Sequence, residues 1–121
     1  MNICVVGVGY VGLVTGSCFA EFGNTVVCVD NDEKKIEALQ KDVIPIYEPG
    51  LEEMVKRCQS AGRLHFTTDV ADAVEKSLII FIAVGTPSGS GGSANLEYVY
   101  QVAETIGKLM KGYKVIATKG T

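Results

Sequence analysis

Three glycines near the amino terminus have the spacing of a turn that binds a dinucleotide pyrophosphate. They form the pattern Gly7-x-Gly9-x-x-Gly12, which follows the apolar run 2–6 and opens a run of helical character. The first glycine permits the tight bend, the second lets phosphates approach the backbone, and the third lets helix and strand pack closely. The unpaired N–H groups at the start of that helix favour an anion. Because glycine-rich turns also form for packing alone, the pattern is weak by itself.

A carboxylate strengthens this hypothesis. Asp30 ends the second apolar run, near the distance of about 20 residues at which such turns have an acidic partner. A carboxylate there accepts hydrogen bonds from the adenosine ribose and repels a 2′-phosphate, which predicts NAD rather than NADP. The alternative is that Asp30 only caps the next helix. Lys35, one turn into that helix, is either beside the adenosine end or simply solvent-facing.

Apolar runs of two kinds alternate along the chain and must position these residues. Strands are predicted over 2–6, 25–30, 64–68, 78–84 and 113–119, and helices over 10–22, 31–41, 51–59, 69–76 and 95–110. The run 78–84 does not alternate with polar residues, which predicts a strand buried on both faces. The alternation of strands and helices predicts a doubly wound, Rossmann-type α/β fold whose parallel sheet has the order 3-2-1-4-5.

Two segments are predicted to be loops. The segment 42–50 contains two prolines and a glycine, and 85–93 consists entirely of glycine, serine, threonine and proline. Gly16, one turn after Gly12, is predicted to serve helix–sheet packing. The last helix has apolar residues at helical spacing, which are Leu96, Val99, Val102, Ala103, Ile106 and Leu109.

The length of 121 residues suits one domain, 1–121, without an internal repeat or linker. The sequence ends at Thr121, at the end of the predicted fifth strand, whereas a dinucleotide-binding fold normally continues to a sixth. We therefore expect a fragment truncated before a sixth strand, with the fifth strand as an unpaired edge.

Composition argues against several classes of function. A net charge of −3 gives no electrostatic reason to expect nucleic acid or a membrane surface as partner. No apolar run reaches the roughly 18 residues of a membrane span, and the amino terminus lacks the basic region of a signal peptide. The spacing of the cysteines favours buried thiols in a reducing cytoplasm over disulfide, metal or nucleophile. These are Cys4, Cys18, Cys28 and Cys58. The one histidine, His65, has no visible partner and is not expected to be catalytic.

Three separated motifs carry a specific resemblance. They are GVGYVGL at 7–13, PIYEPGL at 45–51 and VGTPS at 84–88. With these motifs in this order, the sequence resembles, over essentially its whole length, the N-terminal NAD-binding domain of the nucleotide-sugar dehydrogenase family, which includes UDP-glucose and GDP-mannose dehydrogenases. Lys119-Gly120-Thr121 falls where the family usually has Lys-Ser-Thr, so Gly120 departs from the pattern.

The resemblance implies an enzyme that oxidises the C6 alcohol of a sugar nucleotide to a carboxylate in two steps, with two NAD+ and a cysteine thiohemiacetal. It implies a cofactor-binding set of Gly7, Gly9, Tyr10, Val11, Gly12, Asp30, Lys35, Val84, Gly85, Thr86 and Thr121. Thr121 also matches a threonine close to the reaction centre and is the catalytic candidate of this chain. The family's nucleophilic cysteine, catalytic lysine, sugar pocket and dimerisation helix lie beyond residue 121, and the complete enzyme is implied to be a homo-oligomer.

Other functions stay open at this point. Tyr47 before Glu48-Pro49-Gly50 favours UDP-glucose, with GDP-mannose and UDP-N-acetyl sugars as alternatives. A stand-alone NAD-binding or sensor module would contain the same turn and carboxylate. A methyltransferase also uses a glycine-rich turn and an acidic residue after its second strand, but it has no reason to carry the motif Tyr47 to Leu51.

Overall fold

A computed structural model of the chain describes residues 1–83, 92–109, 112 and 115–118. The strands are β1 (Asn2–Val6), β2 (Thr25–Val29), β3 (Leu64–Thr67), β4 (Ile79–Ile82) and β5 (Val115–Thr118). The helices are α1 (Tyr10–Glu21), α2 (Glu33–Gln40), α3 (Leu51–Ser60), α4 (Val70–Lys76) and α5 (Gly92–Leu109). All strand pairs are parallel and the sheet order is β3-β2-β1-β4-β5, which confirms the predicted doubly wound fold.

The sheet separates two apolar clusters, and this explains why its strands are continuously apolar. Along β1, Ile3 and Val5 belong to one cluster while Cys4 and Val6 belong to the other, as the two-residue period of a strand requires. The first cluster is completed by α1, α2 and α3, and the second by α4 and α5. Burial on both faces leaves no polar position in the central strand β1 after its exposed first residue, Asn2.

Local side-chain hydrogen bonds define where two helices begin. Asp32 Oδ1 accepts from the backbone N–H of Lys35 at 3.1 Å, and Asp69 Oδ1 accepts from that of Asp72 at 3.1 Å. Each aspartate satisfies one of the unpaired N–H groups of a helical first turn. The cap of α2 is therefore Asp32, and the carboxylate of Asp30 is left for another role.

Three sequence predictions are wrong in detail. Helix α5 begins at Gly92, inside the segment predicted to be a loop, whose remaining residues 85–91 lie outside the described ones. Ala103 is exposed, because the buried face of α5 contains Val102, Ile106 and Leu109. Each step of one residue along a helix turns the side-chain direction by about 100°, which places Ala103 off this face. Residues 78–84 are not all buried on both faces: Leu78 is 45% exposed.

The partial exposure of β4 has a simple cause. Helices α1, α2 and α3 mainly contact β1, β2 and β3, and this layer reaches β4 through the stacked rings of Phe19 and Phe81, whose centroids lie 5.1 Å apart. Ile79 and Phe81 face that side and are half-buried, whereas Ile80 and Ile82 face the second cluster and are buried. No helix in the described part of the chain is long and apolar enough to cross a membrane.

Candidate cofactor-binding site

The glycine-rich turn lies where β1 meets α1, at the carboxyl edge of the sheet. Gly7 has a φ of 104°, a conformation that L side chains rarely adopt. Its N–H donates to the carbonyl oxygen of Val29 at 2.7 Å, which ties the turn to the end of β2. The backbone thus requires glycine at position 7, as the tight bend predicts.

Gly9 differs because nothing in the described part of the chain requires a glycine there. It precedes the first residue of α1 with a φ of −72°, which any residue adopts, and, its chain neighbours aside, a Cβ built on it meets no atom of the described residues within 4 Å. No described side chain caps α1, and its first turn contains no acidic residue. The N–H groups of this first turn therefore face open space that a Cβ would begin to fill, as an anion-binding turn requires.

Gly12 and Gly16 are explained by packing. A Cβ on Gly12 would overlap the carbonyl oxygen of Gly7 and lie 2.8 Å from its carbonyl carbon. A Cβ on Gly16 would lie 2.8 Å from Cys28 Sγ, on the neighbouring strand. Both contacts are shorter than packed atoms tolerate, so the predicted packing roles of these two glycines are confirmed.

Asp30 follows β2 directly and is held beside the glycine turn. Its Oδ2 accepts from the backbone N–H of Val8 at 3.1 Å, and its Oδ1 accepts from that of Asp32 at 3.0 Å. Each carboxylate oxygen has two lone pairs, so both oxygens keep capacity for a further donor. The carboxylate is therefore oriented before any ligand arrives, and the bond to Val8 joins it to the turn.

A cleft of about 220 Å³ opens next to Asp30. Valine side chains from the ends of β1 and β2 and from helices α4 and α5 form much of its walls. A few polar groups complete the lining. The lining residues are Val6, Val29, Asp30, Asn31, Thr68, Val70, Gln101, Val102 and Thr105. The sequence did not predict the contribution of α4 and α5 to this cleft, because that contribution depends on contacts between segments far apart in the chain. An apolar cleft with a carboxylate at its edge can hold a flat heterocycle attached to a diol.

The remaining described candidates surround the turn. Tyr10 is 53% exposed, and its hydroxyl donates to Glu48 Oε2 at 3.0 Å. This hydrogen bond, together with the negative charge of Glu48, raises the pKa of Tyr10. Val11 packs against the first cluster, and Lys35 is half-buried in the first turn of α2. The ion pairs of the described residues do not include Lys35.

Four candidates, Val84, Gly85, Thr86 and Thr121, lie outside the described residues. Within the described part, no group of three or more histidine, cysteine or acidic side chains could hold a metal ion. His65 does have a partner, contrary to expectation, since its Nε2 lies 2.9 Å from the carbonyl oxygen of Gly62.

The cysteines are free thiols, and Cys4, Cys28 and Cys58 are buried. Burial, with a smaller contribution from Cys4, raises the pKa of the Cys28 thiol well above its usual range. Burial also raises the pKa of Cys58, aided by its contact with Glu21. A thiolate is the reactive form of cysteine, so neither of these two side chains is suited to be a nucleophile.

Known proteins are similar to this chain in both sequence and fold. Residues 1–121 match the model of the UDP-glucose/GDP-mannose dehydrogenase family, NAD binding domain. UDP-glucose 6-dehydrogenase TuaD of Bacillus subtilis is 56% identical over 120 residues, which cover 99% of this chain and 26% of the relative. The chain thus spans about a quarter of the length of this relative.

Solved structures agree. A ternary complex of GDP-mannose dehydrogenase from Pseudomonas aeruginosa superposes with a TM-score of 0.92 at 36% identity, covering 100% of this chain and 28% of the other. A UDP-glucose dehydrogenase from Pyrobaculum islandicum has a TM-score of 0.89 at 41% identity, covering 98% and 28%. The chain therefore belongs to the UDP-glucose/GDP-mannose dehydrogenase family, as the NAD-binding domain of that family.

Proposed function

We propose that the glycine turn, Asp30 and the adjacent cleft bind NAD+. One observation carries this proposal above the others: Gly9 is a glycine that neither its backbone nor its packing against the described residues requires, and no atom of those residues, its chain neighbours aside, occupies the space in front of it. A pyrophosphate in that space would accept hydrogen bonds from the first-turn N–H groups of α1 and would interact favourably with the helix dipole. The space that a Cβ would remove is then the space of the phosphates.

The adenosine half follows from the position of Asp30. Its carboxylate, held by the N–H groups of Val8 and Asp32, would accept from the ribose hydroxyls, and the base would enter the cleft formed with α4 and α5. A 2′-phosphate would bring additional negative charge against this fixed carboxylate, so NADP+ should bind less well. We assign Lys35 to the same end of the site, beside the cap of α2.

For the whole enzyme we propose the oxidation of UDP-glucose to UDP-glucuronate, with residues 1–121 as its NAD-binding domain. NAD+ is the hydride acceptor of this oxidation, and residues 1–121 bind and orient the NAD+. The choice of sugar is supported by identity among the solved structures, 41% to a UDP-glucose enzyme against 36% to a GDP-mannose enzyme, and by the 56% identity to a curated UDP-glucose enzyme. We further propose a cytoplasmic, homo-oligomeric enzyme whose product supplies polysaccharide synthesis, with Val84, Gly85, Thr86 and Thr121 at the nicotinamide end and Thr121 near the reaction centre.

Calorimetric titration of the chain with NAD+, NADP+ and S-adenosylmethionine tests the binding proposal. We expect measurable binding of NAD+, weaker binding of NADP+ and none of S-adenosylmethionine. Binding of S-adenosylmethionine without NAD+ would instead indicate a methyltransferase-like site and would overturn the proposal.

Incubation of the chain with UDP-glucose and NAD+ tests whether these residues suffice for turnover. We expect no sustained increase in NADH absorbance, because the nucleophilic cysteine and sugar pocket that the family resemblance implies lie beyond residue 121, and because Cys28 and Cys58 are buried thiols with raised pKa values. The two-step oxidation requires an accessible thiolate to hold the aldehyde. Sustained NADH production by the pure chain would contradict our assignment of the nucleophile to another part of the enzyme.

A further inference from the structure

The segment 42–50 connects α2 to α3 and contacts Tyr10, the first residue of α1, through Glu48. We call this segment the strap. Its residues alternate in burial as in an extended chain. Ile44 and Ile46 pack against the first apolar cluster, and Glu48 is half-buried two residues further on. Val43 and Tyr47 are on the other side, 58% and 93% exposed. The period of two therefore directs Glu48 toward the body of the protein.

Both ends of the strap are fixed. Asp42 adopts a φ of 63° and accepts from Gln59 Nε2 at 2.7 Å, which ties the start of the strap to α3. Gly50 adopts a φ of 81°, and its carbonyl oxygen accepts from Met54 in the first turn of α3. Pro45 and Pro49 restrict the backbone between these points. The strap is therefore a stiff segment that holds Glu48 at a defined position.

Glu48 binds the residue that directly follows Gly9. The hydroxyl of Tyr10 reaches across 38 positions of sequence to Glu48 Oε2. On the other side of the same turn, the N–H of Val8 binds Asp30. The turn thus has an adenosine side, anchored by Asp30, and a strap side, anchored by Glu48.

We propose that Glu48 is a positioning residue of the dinucleotide site: by binding the Tyr10 hydroxyl, it holds that ring as a wall beside the space in front of Gly9. The inference rests on the proposed binding of NAD+ there. Without the hydrogen bond, the exposed ring of Tyr10 would be free to rotate into the space of the pyrophosphate.

A purely structural role for the same contact makes different predictions. If the pair only fastens the strap, its loss should lower the melting temperature and weaken every ligand alike. If it positions the strap side of the turn, its loss should weaken NAD+ while AMP, bound on the adenosine side, is little affected.

The test uses Tyr10→Phe, Glu48→Ala, the double variant and Glu48→Gln, with calorimetric titration of NAD+ and AMP and a melting temperature for each. We expect Tyr10→Phe and Glu48→Ala each to weaken NAD+ about three- to tenfold, the effect of one hydrogen bond of ordinary net strength. The double variant should lose no more than either single one, and AMP should change less than about twofold. Glu48→Gln should retain NAD+ affinity, because its amide oxygen can accept the same hydrogen bond.

Glu37→Gln is the matched control, since Glu37 is an exposed acidic residue on α2 whose partner is Lys41. It should change neither ligand. Equal losses for NAD+ and AMP, or unchanged NAD+ affinity in Tyr10→Phe and Glu48→Ala, would overturn the positioning role and leave the proposed function intact. Failure of the unmodified chain to bind NAD+ would instead overturn the proposed function.

Discussion

Glycines occur near helix α1 for opposite reasons at two places. We call them the open side, which is the amino-terminal end next to Gly9, and the packed side, which is the face that contains Gly12 and Gly16. At the open side, Gly9 has an ordinary φ, and apart from its chain neighbours no atom of the described residues lies within 4 Å of a Cβ. At the packed side, a Cβ on Gly12 or Gly16 would collide with Gly7 or Cys28. The contacts of the described residues therefore explain the glycines at 12 and 16 but not the one at 9, for which we propose a bound ligand as the reason.

The largest effect is expected at Gly12. Gly12→Ala places a methyl group on the carbonyl of Gly7, a backbone atom that cannot move aside without opening the turn. Overpacking costs about 1–3 kcal/mol and occasionally more, and a backbone clash belongs at the upper end of that range. Denaturant unfolding should show this loss. Gly107→Ala, on α5 and with nothing within 4 Å, is the control and should stabilise the chain by about 0.5–1 kcal/mol.

Gly9→Val should give the converse result. The added side chain meets open space in the protein, so the circular-dichroism spectrum and melting temperature should stay close to those of the unmodified chain. NAD+ binding, measured by calorimetry, should be abolished, because the side chain occupies the space of the pyrophosphate. A parallel loss of structure and binding would show that Gly9 serves packing as well.

A smaller and more selective effect is expected at Asp30. Asp30→Ala should weaken NAD+ by about 1.5–3 kcal/mol, the range for hydrogen bonds to a charged group, and should narrow the gap between NAD+ and NADP+. Part of the loss would arise because the N–H of Val8 loses its partner. Asp32→Ala is the control: it removes the cap of α2, at a cost of about 1 kcal/mol in stability, but should keep the NAD+/NADP+ ratio. An unchanged ratio in Asp30→Ala would refute the ribose assignment.

The smallest effect concerns Ser17, on the packed side of α1. Its side chain is fully buried, and its Oγ has no hydrogen-bond partner among the residues that the structure describes. Burial of an unpaired hydroxyl is unfavourable, so Ser17→Ala should raise the free energy of unfolding by about 1 kcal/mol. A loss of stability in urea unfolding would mean that the hydroxyl is satisfied, and that the packed side is more polar than its contacts indicate.

Local sequence patterns were sufficient for most strands and helices and for the roles of Gly7 and Gly12, because apolar periodicity and glycine spacing act over short distances. The sheet order was predictable because alternating strands and helices connect in few ways in a doubly wound fold. The contacts that complete the site join distant residues. Val8 and Asp30 are 22 positions apart, and Tyr10 and Glu48 are 38 apart. Such pairs depend on how elements pack, so the turn and the strap appeared as separate motifs.

The error at the start of α5 has a different origin. Glycine and serine have low helix propensity, so the composition of 85–93 favoured a loop throughout. Once a helix has formed, each further residue adds a hydrogen bond at little cost, and α5 extends back to Gly92. The predicted roles of Val84, Gly85, Thr86 and Thr121 remain predictions, because these residues lie outside the described part.

Titration of the isotopically labelled chain with NAD+, followed by the NMR shifts of its backbone amides, tests the central claim most directly. If NAD+ binds at the glycine turn and Asp30, we expect the largest shifts at residues 7–13 and at Asp30. We expect little change at the opposite end of the sheet, where Gly23, Asn24 and Gly62 lie. Shifts concentrated at that opposite end, with the amides of Gly9 and Asp30 unmoved, would contradict it.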